Sequence, residues 1–229
     1  MYKITGLEDI HQVPAKVRQM YMAVLQLFEQ GEEAGSIRVS AITEMAGIGK
    51  GTAYEYFDSK EEMVACALVY QIQCIFDWLG NMLEEKGSFR EQLDFILDEM
   101  EVQEERRCCF LRCVHIMTDY SEFSRMIQEK ITREEFKPYL PTNVFGRMLR
   151  RGVERGELRN DLPLDYLVYC LFSHLVSYLL AVTTKDCFEV NPAKLRPLIY
   201  RGILNEIGAD SQRQGEKAKP DTKKRRRME

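Results

Sequence analysis

Between Ala15 and Glu33 the apolar residues Val17, Met20, Tyr21, Val24, Leu25 and Phe28 recur at steps of three and four. That period predicts an amphipathic helix that ends near Gly31–Gly35. Ile37 and Val39 make a short apolar approach to a second helix, with Ser40 as its N-cap and Ile42 and Met45 along it. Gly47 closes this helix in the left-handed conformation that residues with a side chain resist. Ile48 is the apolar plug of the turn, and Gly49 is the next N-cap. A third short helix follows over Lys50–Tyr56. In it Ala53 and Phe57 face inward, while Thr52, Glu55 and Tyr56 lie on another face. Asp58 or Ser59 then caps a fourth helix, with Glu61 or Glu62 completing a capping box.

The rest of the chain reads as further helices, over 59–86, 89–105, 107–118, 121–137 and 142–155. The segment RGELRNDLPLDY then turns the chain. A helix over 164–183 contains Tyr166–Val182, a 17-residue run without charge. A membrane span needs about 20 apolar residues. His174, Ser173 and Ser177 interrupt the run, and Asp165 and Lys185 bound it, so the expectation is a helix buried on both sides and no membrane. The last helix, 192–207, is amphipathic through Leu195, Leu198, Ile199, Ile203 and Leu204. The expected fold class is all-α. Its parts are a three-helix head over 1–57, a helical domain over 58–208 and a basic tail over 209–229.

Two short helices joined by a glycine-containing turn make a helix-turn-helix layout, whose second helix enters a major groove. The outer face of that helix has to be polar, and small residues such as Gly51, Thr52 and Ala53 let the backbone approach a duplex. Tyrosine hydroxyls reach phosphates while their rings pack on the domain.

The stretch AGIGKGTAYEYFDSKEEM resembles the DNA-binding signature of the TetR family of bacterial transcriptional repressors, which usually reads AGVSKGTLYxYFxSKExL. The resemblance covers residues 16–70, and GELRxDL further on is again family-like. It implies DNA contacts at Gly49, Lys50, Thr52, Tyr54, Glu55, Tyr56 and Lys60, with Thr52 and Tyr56 on phosphates and Lys60 on the backbone at the head of the fourth helix. Three positions depart from the pattern. Gly49 replaces a serine, Ala53 replaces a leucine, and Glu55 is acidic where many relatives are neutral or basic. A carboxylate there costs affinity unless it accepts from a cytosine amino group. The family also implies a homodimer through the helices at 164–183 and 192–207, a palindromic operator, and a small-molecule effector whose binding tilts the helix that starts at Asp58. Candidate effector contacts are Trp78, Phe110, Cys113, Met117, His174 and Tyr178, a mixture suited to an apolar or aromatic ligand.

Composition refines this picture. Of 229 residues, 45% are hydrophobic and 30% charged, as in an ordinary soluble domain. The net charge of −4 is unevenly spread. From Asp210 on, eight Lys/Arg face four acids, including the run KKRRR, which reads as a solvated tail or a phosphate-binding arm. Residues 1–57 carry five Lys/Arg against seven acids, so the head is itself acidic and DNA binding rests on a few placed contacts doubled by a dimer. Seven cysteines, with no CxxC pair and no signal peptide, suggest free thiols and the cytoplasm. Cys108, Cys113 and His115 lack four-ligand zinc spacing, and no cofactor is expected. A helical enzyme finds no Ser/His/Asp set, metal pair or phosphate loop here. A helical interaction protein that keeps the head without specific DNA binding is the competing reading.

Overall fold

The computed structural model describes residues 3–102, 104–184 and 191–209, without the side chains of 102, 104–109 and 192. The basic run at 223–227 and Cys187 lie outside the described residues. The head holds α1 (Ala15–Glu29), α2 (Val39–Met45) and α3 (Lys50–Tyr56). Then come α4 (Lys60–Glu84), α5 (Phe89–Val102), α6 (Glu104–Thr118) and α7 (Glu122–Ile131). A 3-10 helix (Glu134–Tyr139) precedes α8 (Pro141–Glu154), α9 (Leu164–Thr183) and α10 (Pro192–Ile207).

The all-α expectation holds, with local corrections. Helix α1 stops at Glu29 because Gly31 turns left-handed at φ 90°. Ser40 is not a cap. Arg38 takes that position in an extended conformation, and burial of Val39 in the head core draws it into the first turn. The expected helix over 121–137 ends at Ile131, where the Thr132 hydroxyl donates to the Glu129 carbonyl (3.0 Å) and competes with the helical ladder. Pro138 then confines Glu134–Tyr139 to a 3-10 helix.

Among the described residues the chain forms two compact units, one holding residues up to Met82 with Glu105–Val144, the other holding Leu83–Glu104 with the residues from Phe145 on. Three short helices offer too little apolar surface to close a core alone, and the head draws on α4. Val17, Met20, Tyr21, Val24, Ile42, Ala53 and Phe57 share one cluster with Met63, Val64, Cys66 and Ala67 of α4. Phe123 of α7 packs against it as well. On α6, Arg112 lies 4.8 Å from the Phe28 ring centroid and donates to Gln71 Oε1 (3.1 Å).

In the second unit, α9 buries Leu167, Leu171, Leu175, Tyr178, Leu179 and Val182, and α10 buries Ile203, Leu204 and Ile207. The GELR segment stitches this unit together. Leu158 bridges Gly208, Arg159 N–H donates to Ile207 O (2.9 Å), and Phe89 N–H donates to Glu157 (2.6 Å). Among the described residues Tyr169 and Leu180 of α9 are 68% and 38% exposed, while the Tyr166 hydroxyl donates to Glu206 of α10 (3.0 Å). By length and composition α4 and α9 could each cross a membrane, yet 67% and 50% of their most apolar windows are buried within the protein.

Candidate nucleic-acid interface

The turn between α2 and α3 is built from backbone chemistry. Gly47 sits at φ 65°, Gly47 N–H donates to Glu44 O (3.1 Å) and Ile48 N–H to Thr43 O (2.9 Å). This is the double-bonded Schellman ending that a left-handed glycine permits. Gly49 follows in an extended conformation (φ −67°, ψ 141°) at the N-cap of α3, with no side chain to contribute.

The seven residues of α3 sort onto faces by the helical period. Ala53 and Phe57 are 0% and 1% exposed and hold the helix to the core. Lys50, Gly51, Tyr54 and Glu55 stand outward, Tyr54 being 43% exposed. Thr52 and Tyr56 flank this strip half-buried, and the Tyr56 ring packs against the head core. The structure therefore places Lys50, Tyr54 and Glu55 on one exposed strip, with Thr52 and Tyr56 at its edge. Gly49 is exposed at its beginning, and a Cβ there would meet only the Thr52 hydroxyl, at 4.0 Å.

Lys60 is placed differently from its companions. Its Nζ donates to the Gly35 carbonyl (3.0 Å) and lies 3.4 Å from Glu61, so it ties the α1–α2 loop to the start of α4. Of the two candidate caps, Ser59 is the one used, accepting from Glu62 N–H at 3.0 Å. The reciprocal half of the box is missing, because the Glu62 carboxylate turns to Lys130 (2.6 Å). The Glu61 carboxyl is held below its usual range, first by its own backbone N–H and then by Lys60.

Sequence reasoning missed the far end of α3. Lys3 Nζ donates to Tyr54 O (2.7 Å) and Phe57 O (3.2 Å) and pairs with Asp58 (3.1 Å). Ile4 N–H donates to Tyr56 O (3.0 Å). These bonds satisfy carbonyls that a helix end leaves open, and a cation suits that end of the dipole. Burial under this arm pushes the Cys66 thiol well above its ordinary pKa, which keeps it protonated and inert.

The six candidate effector contacts are divided between the two units. Trp78, Phe110, Cys113 and Met117 belong to the first unit, His174 and Tyr178 to the second. Phe110 meets the Phe76 ring edge-on at 5.6 Å. Cys113 borders a crevice with Leu68, Gln71, Ile72 and Arg112 that is too tight for water. Met117 is 55% exposed. His174 Nδ1 lies 2.9 Å from Cys170 O, and Tyr178 donates to Glu101. An open polar depression of about 530 Å³ beside Leu158, Arg159, Asn160 and Asp161 includes none of the six.

The profile of the bacterial regulatory proteins of the tetR family matches residues 25–66, from the second half of α1 into α4. Over these residues the chain carries a head similar to that of the TetR family. The matched residues contain the Gly47 turn and all of α3. No curated protein matches the chain significantly. Among solved structures the chain is similar to the regulator FadR from Bacillus subtilis, in complex with stearoyl-CoA, at 17% identity and a TM-score of 0.59, covering 81% of this chain and 96% of that one. It is also similar to a regulator from Saccharomonospora viridis in complex with choline, at 16% identity and a TM-score of 0.61, over 84% and 97% of the two chains. A third is the SmeT–triclosan complex, at 18% identity and a TM-score of 0.62, over 87% and 94%. Beyond the matched head these likenesses show a shared fold. The TetR-family pattern places serine at position 49 and leucine at position 53, and both departures are now physical. Gly49 leaves the N-cap without a hydroxyl, and Ala53 is fully buried against a core that has already closed.

Proposed function

We propose that the chain is a ligand-responsive transcriptional repressor that binds a palindromic operator as a homodimer in the cytoplasm and is released by a small-molecule effector. The observation that carries this reading is the outward strip Lys50, Tyr54 and Glu55 on a helix that Ala53 and Phe57 fix to the core. A two-fold pair of such heads reads two half-sites. The exposed Tyr169 and Leu180 of α9 and Leu198 of α10 (59% exposed) offer the self-complementary face such a pair needs. Solved structures of this fold hold ligands as unlike as stearoyl-CoA, choline and triclosan. The Trp, Met, Cys and Tyr content of the helical domain favours an apolar or aromatic effector here.

The test is capture of the DNA upstream of the chain's own gene, and of a randomised pool, at low salt. Thr52→Ala should weaken the selected operator by about tenfold, and Tyr56→Phe by about fivefold, as single phosphate contacts do. If wild type retains neither native DNA nor any pool sequence, the regulator reading fails. A thermal-shift screen of small apolar and aromatic compounds, followed by release of bound DNA, addresses the effector. Gly49→Ser should stabilise the head by only a few tenths of a kcal/mol, because glycine is already a tolerable cap. The added hydroxyl should nevertheless tighten DNA binding; unchanged or weaker binding would show that the turn does not approach phosphate.

The exposed carboxylate of Glu55 and the acidic head favour a second reading, an interaction protein that keeps the head without specific DNA binding. Glu55→Gln separates the two. A regulator that uses Glu55 changes the base it selects, whereas an interaction protein binds no DNA in either form.

A further inference from the structure

The segment before α1 lies outside the residues that match the family, yet it joins two parts of the first unit. At one end Lys3 and Ile4 hold the carbonyls of Tyr54, Tyr56 and Phe57. Next, Gly6 at φ 79° lies so close to α4 that a Cβ there would come within 2.9 Å of Cys66 Cα. The Glu8 carboxylate closes the turn by accepting from Thr5 N–H (2.8 Å) and Gly6 N–H (2.9 Å). At the other end stands Lys130 of α7, only 11% exposed, with Nζ 2.7 Å from Thr5 O and 2.6 Å from Glu62 Oε1.

Helix α7 is built to deliver that ammonium. Phe123, Ile127 and Lys130 lie on one face at steps of four and three, with Phe123 packed on the head core and Ile127 fully buried. The face that anchors α7 to the head thus ends in a charge held on two acceptors. A nearly buried ammonium is costly unless its donors are used, and here two of the three are.

We propose that Lys130 is a positioning residue for DNA binding, acting through the arm of residues 3–8 on the far end of the reading helix. The inference rests on the DNA-binding reading above. Helix α3 has only seven residues, so whatever holds its last turn sets the direction in which Lys50 and Tyr54 point. Without Lys130 the Thr5 carbonyl and Glu62 lose their common partner and the arm loosens. The bonds from Lys3 and Ile4 then form only part of the time, and affinity falls in proportion to the competent fraction.

The experiment compares the full-length wild type with Lys130→Met, Lys130→Arg and Lys3→Met. Each is measured on the operator that wild type selects from a randomised pool, and by hydrogen exchange at the Ile4 amide. Lys130→Met is expected to weaken binding about tenfold and to speed Ile4 exchange by a similar factor. The salt slope should not change, because Lys130 touches no phosphate. Lys130→Arg should recover most of the affinity. Combining Lys130→Met with Lys3→Met should cost little more than the worse single change, since both act on the same arm. Lys3, at 43% side-chain exposure, keeps the test informative if Lys130→Met folds poorly. Unchanged affinity or unchanged Ile4 exchange in Lys130→Met, a salt slope reduced by about one, or additive losses in the double variant would each overturn the proposal. A wild type that captures no DNA overturns the DNA-binding reading and this proposal with it. A wild type that binds, beside a Lys130→Met variant that binds equally well, overturns this proposal alone.

Discussion

Phe57→Ala should cost the head about 3–5 kcal/mol, enough to leave it unfolded at ordinary temperature. Phe57 is 1% exposed and closes the last turn of α3 onto the core. Its ring centroid lies 6.0 Å from that of Tyr21, which in turn lies 5.1 Å from Tyr70 of α4. Removing the ring leaves a cavity that α1, α3 and α4 cannot all collapse into, because each is held by other partners. The neighbouring inward position is Ala53, so no large side chain stands by to fill the space. Urea titration followed by far-UV circular dichroism measures the loss. A value under about 1.5 kcal/mol, the range of volume-conserving swaps, would mean that α3 is held by something other than this ring.

Gly6→Ala should be the second most damaging change, at roughly 2–4 kcal/mol, although it adds a single methyl group. Two effects combine. The backbone is left-handed at φ 79°, which disfavours any L side chain, and the new Cβ would meet backbone of α4 at Cys66, which cannot swing away. Gly31→Ala separates the two effects. Gly31 has φ 90° but nothing within 4 Å of its Cβ position, so only the conformational cost of about 1 kcal/mol should appear. Equal losses at the two sites would show that the arm does not lie tightly on α4. Operator binding supplies a further contrast, because Gly6→Ala lifts the arm that holds α3 and Gly31→Ala leaves it in place.

The helix-turn-helix was legible because its signals are local. The conformation of Gly47 depends on its own missing side chain, and the inward pair Ala53 and Phe57 follows from helical spacing alone. Tyr21 was readable as an apolar position for the same reason. The arm was not legible. Nothing in KITGLED has a period, and its partners lie far along the chain, at Tyr54, Tyr56, Phe57 and Lys130. Read alone, Lys3 and Lys130 are solvated charges, while Lys60 is a phosphate ligand by analogy. In the fold its ammonium donates to the Gly35 carbonyl. The effector candidates were chosen for chemical type, and type does not decide which side chains share a unit. Trp78 belongs to one unit and Tyr178 to the other, and Met117 faces outward.

The clamp on the far end of α3 bears on how such a reader could be cut and moved. The family match starts at residue 25 and stops at 66, and a fragment trimmed to it would keep the whole reading helix while discarding what holds its last turn. A seven-residue helix has no independent existence in water, where about 12–15 residues are already marginal. Grafting this specificity onto another regulator therefore means transplanting residues 3–8 together with Lys50–Tyr56, as one discontinuous cassette. Chimeras joined at the edges of the match would inherit the letters of the recognition sequence without the bracket that aims them.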